Sequence, residues 1–417
     1  MPLLLYRALF IIIIIVLPAT AGGTILDSLL HLLPPPYQSV LSQPDRYNLQ
    51  ILYTQINRDV QNRPHFTHFS FHVDPKQYFY PASLVKLPVA VLALEKINRL
   101  GIRGFNRRSR MKIDCDIGCN TIYDSDDNLP SDSISIESSI KRMLLVSDNG
   151  GYNRLWEFLT RDYANRRLAE CGYGGIRLLH RFSGCAGLQN RENNPIRFFG
   201  KQGKVLFTQP QTVSQLPDVN PLAPVFMGSF SYRNGLLIPH PFRADFLNYI
   251  PLEEEHRLLI AVMFPATVER KKSFLLTASD YYLLRTWMCL LPHESGIPRY
   301  APDSGYPDNF KKYLLFGDST HPCVPHLREF NVVGRAYGFM SDVAYFADFD
   351  ARVEFFLSAV IFANEDDIIN DDQYEYNSLA LPFFSALGAA VCEYEKKRHR
   401  RHRPDLREFL TMLPVSK

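Results

Sequence analysis

Alternating apolar and polar positions begin near residue 47. Residues 47–60 (YNLQILYTQINRDV) read as one strand. Residues 65–73 read as a second, with Phe66, Phe69 and Phe71 among polar neighbours, and polar residues 59–63 as the hairpin loop between them. The period then changes. Pro81-Ala82-Ser83 opens a helix over 84–100, which Gly101 ends. Positions 87–94 are apolar on nearly every side, so this helix is expected to be buried all round. Pro88 falls in its early turns, where a missing N–H costs least. Ile136, Ile140, Met143 and Leu144 mark a further helix that stops at Ser147-Asp148-Asn149-Gly150-Gly151. Tyr152, Leu155, Trp156 and Leu159 mark the next.

From about 200 to 330 the pattern loosens, with helical pieces near 252–260 and 278–291. Residues 330–362 read as three antiparallel strands, with Asp348-Phe349-Asp350-Ala351 as a turn, and 378–397 as a closing helix. The order predicts an α+β fold: a five-stranded antiparallel sheet flanked by helices, with an all-α lobe inserted between its strands. The sheet lobe takes about 45–80 and 330–397, the helical lobe about 81–200, and an insertion about 200–330. No internal repeat is present.

Ahead of this fold, Arg7 precedes an unbroken apolar run from Ala8 to Leu17, then Pro18 and the small-x-small triplet Ala19-Thr20-Ala21. The run is about ten residues, too short to span a bilayer as a helix. Residues 1–21 are read as a cleavable signal peptide and 22–417 as one exported unit, periplasmic or secreted. An uncleaved membrane anchor is the alternative. The count of seven cysteines is odd. In an oxidising compartment a disulfide among Cys115, Cys119, Cys171 and Cys185 is plausible, while Cys289 and Cys392 read as buried thiols.

Composition narrows the function. The 417 residues are 46% hydrophobic and 21% charged, which excludes a disordered chain. A net charge of +3 excludes a strongly basic nucleic-acid binder. The run EKKRHRRHR at 395–403 reads as a solvated helix end, with weak contact to an anionic envelope as its alternative. The acidic patch at 124–127 reads as part of a solvated connection, with a calcium loop of irregular spacing as its alternative. No metal pattern occurs among the twelve histidines, and no cofactor is expected.

Ser83-Leu84-Val85-Lys86 is an S-x-x-K at a helix start. Spacing i, i+3 puts hydroxyl and amine on one face. The helix N-terminus offers unpaired N–H groups to a developing oxyanion, and apolar neighbours can desolvate the lysine into a base. A second copy, Ser138-Ser139-Ile140-Lys141, lies inside a predicted helix where no free N–H groups remain, and is discarded. Ser147-Asp148-Asn149 follows Ser83 by 64 residues, in a loop between helices.

The ordered pair resembles the serine β-lactamase and penicillin-binding protein superfamily, especially the class A β-lactamase-like branch, over roughly 45–395. Its best stretches are YFYPASLVKLPVAVLALEKIN, MLLVSDNGGYNRLWEFL and NVVGRAYGFMSDVAYFADF. The resemblance implies Ser83 as the acylated nucleophile and Lys86 as its base. Ser147 would relay a proton to the leaving amine, and Asn149 would bond Lys86 and the substrate amide. Asp148 would brace its own loop. The oxyanion hole would be the backbone N–H groups of Ser83 and Arg335, with Gly334 and Arg335 binding substrate. The implied function is an exported serine hydrolase acting on a β-lactam or peptidoglycan-type amide as a monomer. A D,D-peptidase and a non-catalytic cell-wall-binding protein on the same fold are the alternatives.

Two departures stand out. Where the family has K-[ST]-G, this chain reads Val332-Val333-Gly334. Arg335 is a candidate replacement, but strand alternation turns it to the other face unless the strand bulges. No E-x-x-x-N stretch follows the S-D-N at the family's distance. Glu192, in Arg191-Glu192-Asn193-Asn194-Pro195, is the nearest candidate for activating water, with a turn residue as its alternative reading. The 185 residues from Ser147 to Val332 exceed the family's spacing, hence the expected insertion.

Overall fold

The computed structural model describes residues 23–114, 134–182, 187–301, 305–318 and 322–413. The signal-peptide stretch, the acidic patch at 124–127, and Cys115, Cys119 and Cys185 lie outside them. The helices are α1 (Ile25–His31), α2 (Pro35–Ser42), α3 (Lys86–Leu100), α4 (Ile136–Val146), α5 (Asn149–Leu159), α6 (Arg161–Glu170), α7 (Leu252–Met263), α8 (Ala278–Cys289), α9 (Leu381–Lys397) and α10 (Arg407–Leu410). Strands β1 (Gln50–Arg58) and β2 (Pro64–Phe71) precede α3. Short strands follow: β3 (Arg110–Ile113), β4 (Glu192–Asn193), β5 (Ile196–Phe199), β6 (Val205–Gln209), β7 (Thr212–Val213), β8 (Phe226–Met227), β9 (Phe230–Arg233), β10 (Leu236–Ile238) and β11 (Phe242–Arg243). Long strands β12 (Leu327–Ala336), β13 (Phe339–Asp348) and β14 (Val353–Phe362) complete the main sheet, before β15 (Ile368–Ile369).

The main sheet has five antiparallel strands in the order β12-β13-β14-β1-β2. Two sequence segments far apart therefore build one sheet, as the element order predicts. Side chains alternate between two cores. Leu52, Ile56, Val332, Val343 and Tyr345 face the helical lobe. Ile51, Tyr53, Val333, Ala344 and Phe346 face α1 and α9. Strand period two and burial on both faces explain the near-continuous apolar reading of β13 and β14.

Helix α3 is buried along nearly its whole length, including Lys86, and Gly101 ends it at φ 58° in the left-handed conformation. The discarded second S-x-x-K lies in α4 but starts in its first turn rather than its interior: Ser135 Oγ accepts from the Ser138 amide at 3.1 Å, and Lys141 pairs with Glu137 at 2.9 Å.

Several elements differ from the sequence reading. The first turn around Ser83 is a 3-10 turn, Ala82–Val85, and α3 starts only at Lys86. Helices α1 and α2 were not anticipated. Thr24 caps α1, and Leu26, Leu29 and Leu30 plug one end of the second core. The closing helix begins with a π turn, Tyr376–Ala380. Within the 200–330 region, Leu258, Leu259, Leu284 and Met288 of α7 and α8 share the core with α3. Cys171 is a buried free thiol, which removes it from the expected disulfide; Cys289 and Cys392 are buried free thiols as expected. No helix among the described residues is long and apolar enough to cross a membrane.

A buried ion pair fixes the loop that faces the sheet. Glu157 on α5 accepts from Arg181 Nε at 2.9 Å, from the Asn194 amide at 2.8 Å and from Asn193 Nδ2 at 3.2 Å. Neither Glu157 nor Arg181 is more than 2% exposed. Removing one partner leaves the other charge buried and unpaired. Glu157→Ala should cost about 3–5 kcal/mol of stability, measured by urea unfolding at pH 7.

Candidate active site

Ser83 sits in the 3-10 turn directly ahead of α3, where the Leu84 amide bonds the Pro81 carbonyl at 3.0 Å. Ala82 before it has φ +45°, a left-handed conformation that costs a non-glycine residue roughly 1–3 kcal/mol. One turn on, Lys86 Nζ lies 2.8 Å from Ser83 Oγ.

The α4–α5 junction supplies the facing wall. Ser147 ends α4 at φ +58°. Asp148 caps α5, accepting from the Gly151 amide at 2.5 Å, and takes Arg142 Nη2 at 3.1 Å. It braces its own loop, as expected. The junction brings Ser147 Oγ and Asn149 Oδ1 each to 2.8 Å from Lys86 Nζ, and the Ser147 carbonyl also contacts that nitrogen. Four of the five catalytic candidates picked from sequence thus meet at a single atom, Glu192 being the exception.

That atom is 2% exposed with its residue, and burial lowers the Lys86 pKa to about 7, against the opposing pull of Asp148. The contacts suit a neutral amine. Ser147 O and Asn149 Oδ1 can only accept, so they take its two protons. A hydroxyl can then give its proton to the remaining lone pair. Ser83 is placed to do so.

Ser83 and Asn149 open into a cavity of about 590 Å³. Tyr80, Phe182, Phe246 and Tyr337 give its walls an aromatic part, beside polar Arg181, Asn190 and Arg335. Tyr337 packs on Tyr80 at 5.1 Å and on Phe242 at 5.8 Å. His180 also lines it, stacked on Tyr80 at 6.1 Å. Sequence reading missed His180 and Tyr80, because no motif marks either and their meeting depends on the fold.

On the sheet side, Gly334 of β12 presses against the turn that carries Ser83. A Cβ at 334 would stand 2.3 Å from the Pro81 carbonyl and 2.6 Å from Ser341 Oγ. Only glycine allows this approach. Val332 and Val333 are buried in the two cores, so neither strand position offers a cation. Two buried lysines brace the same strand: Lys311 Nζ donates to Asn331 O at 2.8 Å, and Lys312 Nζ to Glu329 O at 2.6 Å.

The register from Leu327↔Asp348 to Ala336↔Phe339 is unbroken, so β12 has no bulge and Arg335 shares the face of Val333. Its guanidinium lies 5.7 Å over the Tyr376 ring. Because β12 is the edge strand, Arg335 nonetheless lines the cavity rim and is exposed.

Glu192 is not brought to this cavity. It pairs with Val213 in the small β4–β7 ladder, and its carbonyl accepts from Arg181. The Asn193–Asn194 pair after it is drawn to Glu157, which directs this segment into the lobe. Among the described residues no carboxylate lines the cavity.

Comparisons with known proteins follow the same line. A family model described as "Beta-lactamase enzyme family" matches residues 48–215, the segment holding Ser83, Lys86, Ser147 and Asn149. No curated protein matches the chain. Solved structures similar to it include the β-lactamase from Sphaerobacter thermophilus, 9% identical, TM-score 0.47, covering 90% of this chain and 98% of that one. The chromosome-encoded β-lactamase of Vibrio parahaemolyticus is 12% identical, TM-score 0.49, covering 87% and 99%. A β-lactamase from Burkholderia ambifaria is 14% identical, TM-score 0.47, covering 85% and 98%.

The Gly334 contact gives a direct test of the site's assembly. Gly334→Ala should push the Ser83 turn off β12 and cost about 1–3 kcal/mol, seen as a lowered thermal midpoint. Labelling of Ser83 by acylating probes should fall with it.

Proposed function

We propose that this chain, which belongs to the serine β-lactamase and penicillin-binding protein superfamily, is an exported serine hydrolase that takes an amide or β-lactam carbonyl onto Ser83. The observation that carries the reading is the shared Lys86 nitrogen, within 2.8 Å of Ser83 Oγ, Ser147 Oγ and Asn149 Oδ1.

In this reading Lys86 Nζ removes the Ser83 proton as Oγ bonds the substrate carbonyl carbon. The oxyanion faces the backbone N–H groups of Ser83 and Arg335. The proton on Lys86 then passes through Ser147 to the leaving nitrogen as the C–N bond breaks. Asn149 uses its oxygen on Lys86, which leaves its amide group for the substrate. Arg335 at the rim takes a substrate carboxylate, in place of the cation that Val332 cannot supply. The aromatic walls favour acyl donors with an aryl or apolar arm, so a β-lactam with such an arm fits better than a small polar peptide. The Arg7, apolar-run and Ala19-Thr20-Ala21 pattern supports export.

Incubation with a fluorescent penicillin should label the wild type covalently and leave Ser83→Ala unlabelled. Equal labelling of both would sink the enzyme reading and favour a wall-binding protein on the same fold. The acylation rate should also depend on pH. Lys86 works as a base only when neutral, so the rate should fall about tenfold per unit below pH 7 and level off above it. Rates of a non-titrating acylating probe from pH 5 to 9 check this, and a flat profile removes Lys86 as the base. Arg335→Ala should raise KM about tenfold for a carboxylate-bearing β-lactam and leave a neutral acyl donor unaffected.

A further inference from the structure

We propose that His180 activates the water that hydrolyses the Ser83 acyl-enzyme. The proposal rests on the Ser83 reading above. It answers a gap in the site: Glu192 does not line the cavity, and among the described residues no other carboxylate does. Lys86 is already shared among Ser83, Ser147 and Asn149. Among the described residues, His180 is the remaining side chain in the cavity wall with a basic lone pair.

The surroundings set its tautomer. Nδ1 lies 2.8 Å from the Arg181 carbonyl, which can only accept, so the ring proton sits on Nδ1 and Nε2 carries the lone pair. Arg181 cannot drift, because Glu157 holds its guanidinium in the interior. The rest of His180 is fixed as well. Its amide donates to Asn248 Oδ1 at 3.2 Å and its carbonyl accepts from the Tyr152 hydroxyl at 3.2 Å. The ring lies nearly parallel to Tyr80, 13° off, and meets Phe182 edge-on at 5.8 Å. The Nε2 contact with the Tyr80 hydroxyl is 3.5 Å, the outer limit of a hydrogen bond, so the lone pair is not committed to it. Burial pushes the imidazole pKa down to about 4, which keeps it neutral at physiological pH and about as basic as an ordinary carboxylate.

The step balances. Water oxygen bonds the acyl carbon while one of its protons passes to Nε2. The tetrahedral intermediate collapses, the bond from carbon to Ser83 Oγ breaks, and the proton on Nε2 returns to Oγ. The product leaves as a carboxylic acid that ionises in solvent. No oxidant, metal or further reactant is needed.

The test separates acylation from deacylation. Full-length wild type, His180→Gln and His180→Ala are each mixed with a fluorescent penicillin, and the Ser83 adduct is followed by intact-protein mass spectrometry. Both variants should still take up the adduct but release it about 100-fold or more slowly. Added imidazole should speed release from His180→Ala and not from His180→Gln. Release from either variant within threefold of wild type would overturn the proposal. So would adduct loss from wild type at the same rate in H2O and D2O, a measurement that holds even if the variants do not fold. Absence of any adduct on wild type and on both variants, with no penicillin hydrolysed, would instead defeat the Ser83 reading itself, and the proposal with it.

Discussion

One nitrogen organises this structure. Lys86 Nζ binds atoms from two segments about sixty residues apart, and it does so out of water. A buried amine is tolerable only when its neighbours satisfy it. That requirement fixes the turn before α3, the α4–α5 junction and the distance between them. The apolar all-round character of α3 follows from the same demand, because a helix carrying a desolvated lysine needs its flanks closed against solvent. Stability and chemistry are therefore opposed at this point. The lobe buries a group that would rather be solvated, and its pKa falls to about 7.

Much of this arrangement was legible in the sequence, and for physical reasons. The alternating run of β2, the near-continuous apolar runs of β13 and β14 and the 3.6-period faces of α4 and α5 report directly on burial. Ser83 and Lys86 could be chosen because an i, i+3 pair at a helix start shares a face, and Ser147 and Asn149 because their triplet follows that pair in the family's order; Gly150 and Gly151, read as part of a helix stop, lie instead in the first turn of α5. What could not be read depends on contacts across the chain. The 3-10 turn at Ala82–Val85 exists because β12 presses on it, not because its residues prefer that turn. The two- to five-residue strands β3–β11 are too short to show a period. His180 reaches the cavity wall through a side-chain network that joins α5 to the loop near 190, which no local pattern encodes. Glu192 looked suitable by position, yet its neighbours Asn193 and Asn194 follow Glu157 inward and carry it into a small ladder.

The charges around the cavity are divided by burial. Inside, Glu157 and Arg181 neutralise one another and act as a rigid strut. Behind β12, Lys311 and Lys312 bond backbone oxygens and hold the strand rather than any ligand. At the rim, Arg335 keeps contact with water and leans on an aromatic ring. Such a guanidinium gives up little hydration to meet an anion, whereas a cation at the buried position of Val332 would be fully desolvated.

The approach of Gly334 to the Pro81 carbonyl has a wider consequence. It is a meeting of main chain with main chain, so the gap between sheet edge and Ser83 turn is gauged by peptide units and not by side-chain size. The strand acts as a ruler whose markings do not depend on the letters written beside them. Residues 332 and 333 can then be rewritten from polar to apolar without altering the width of the cleft. The same ruler makes position 334 itself almost impossible to rewrite.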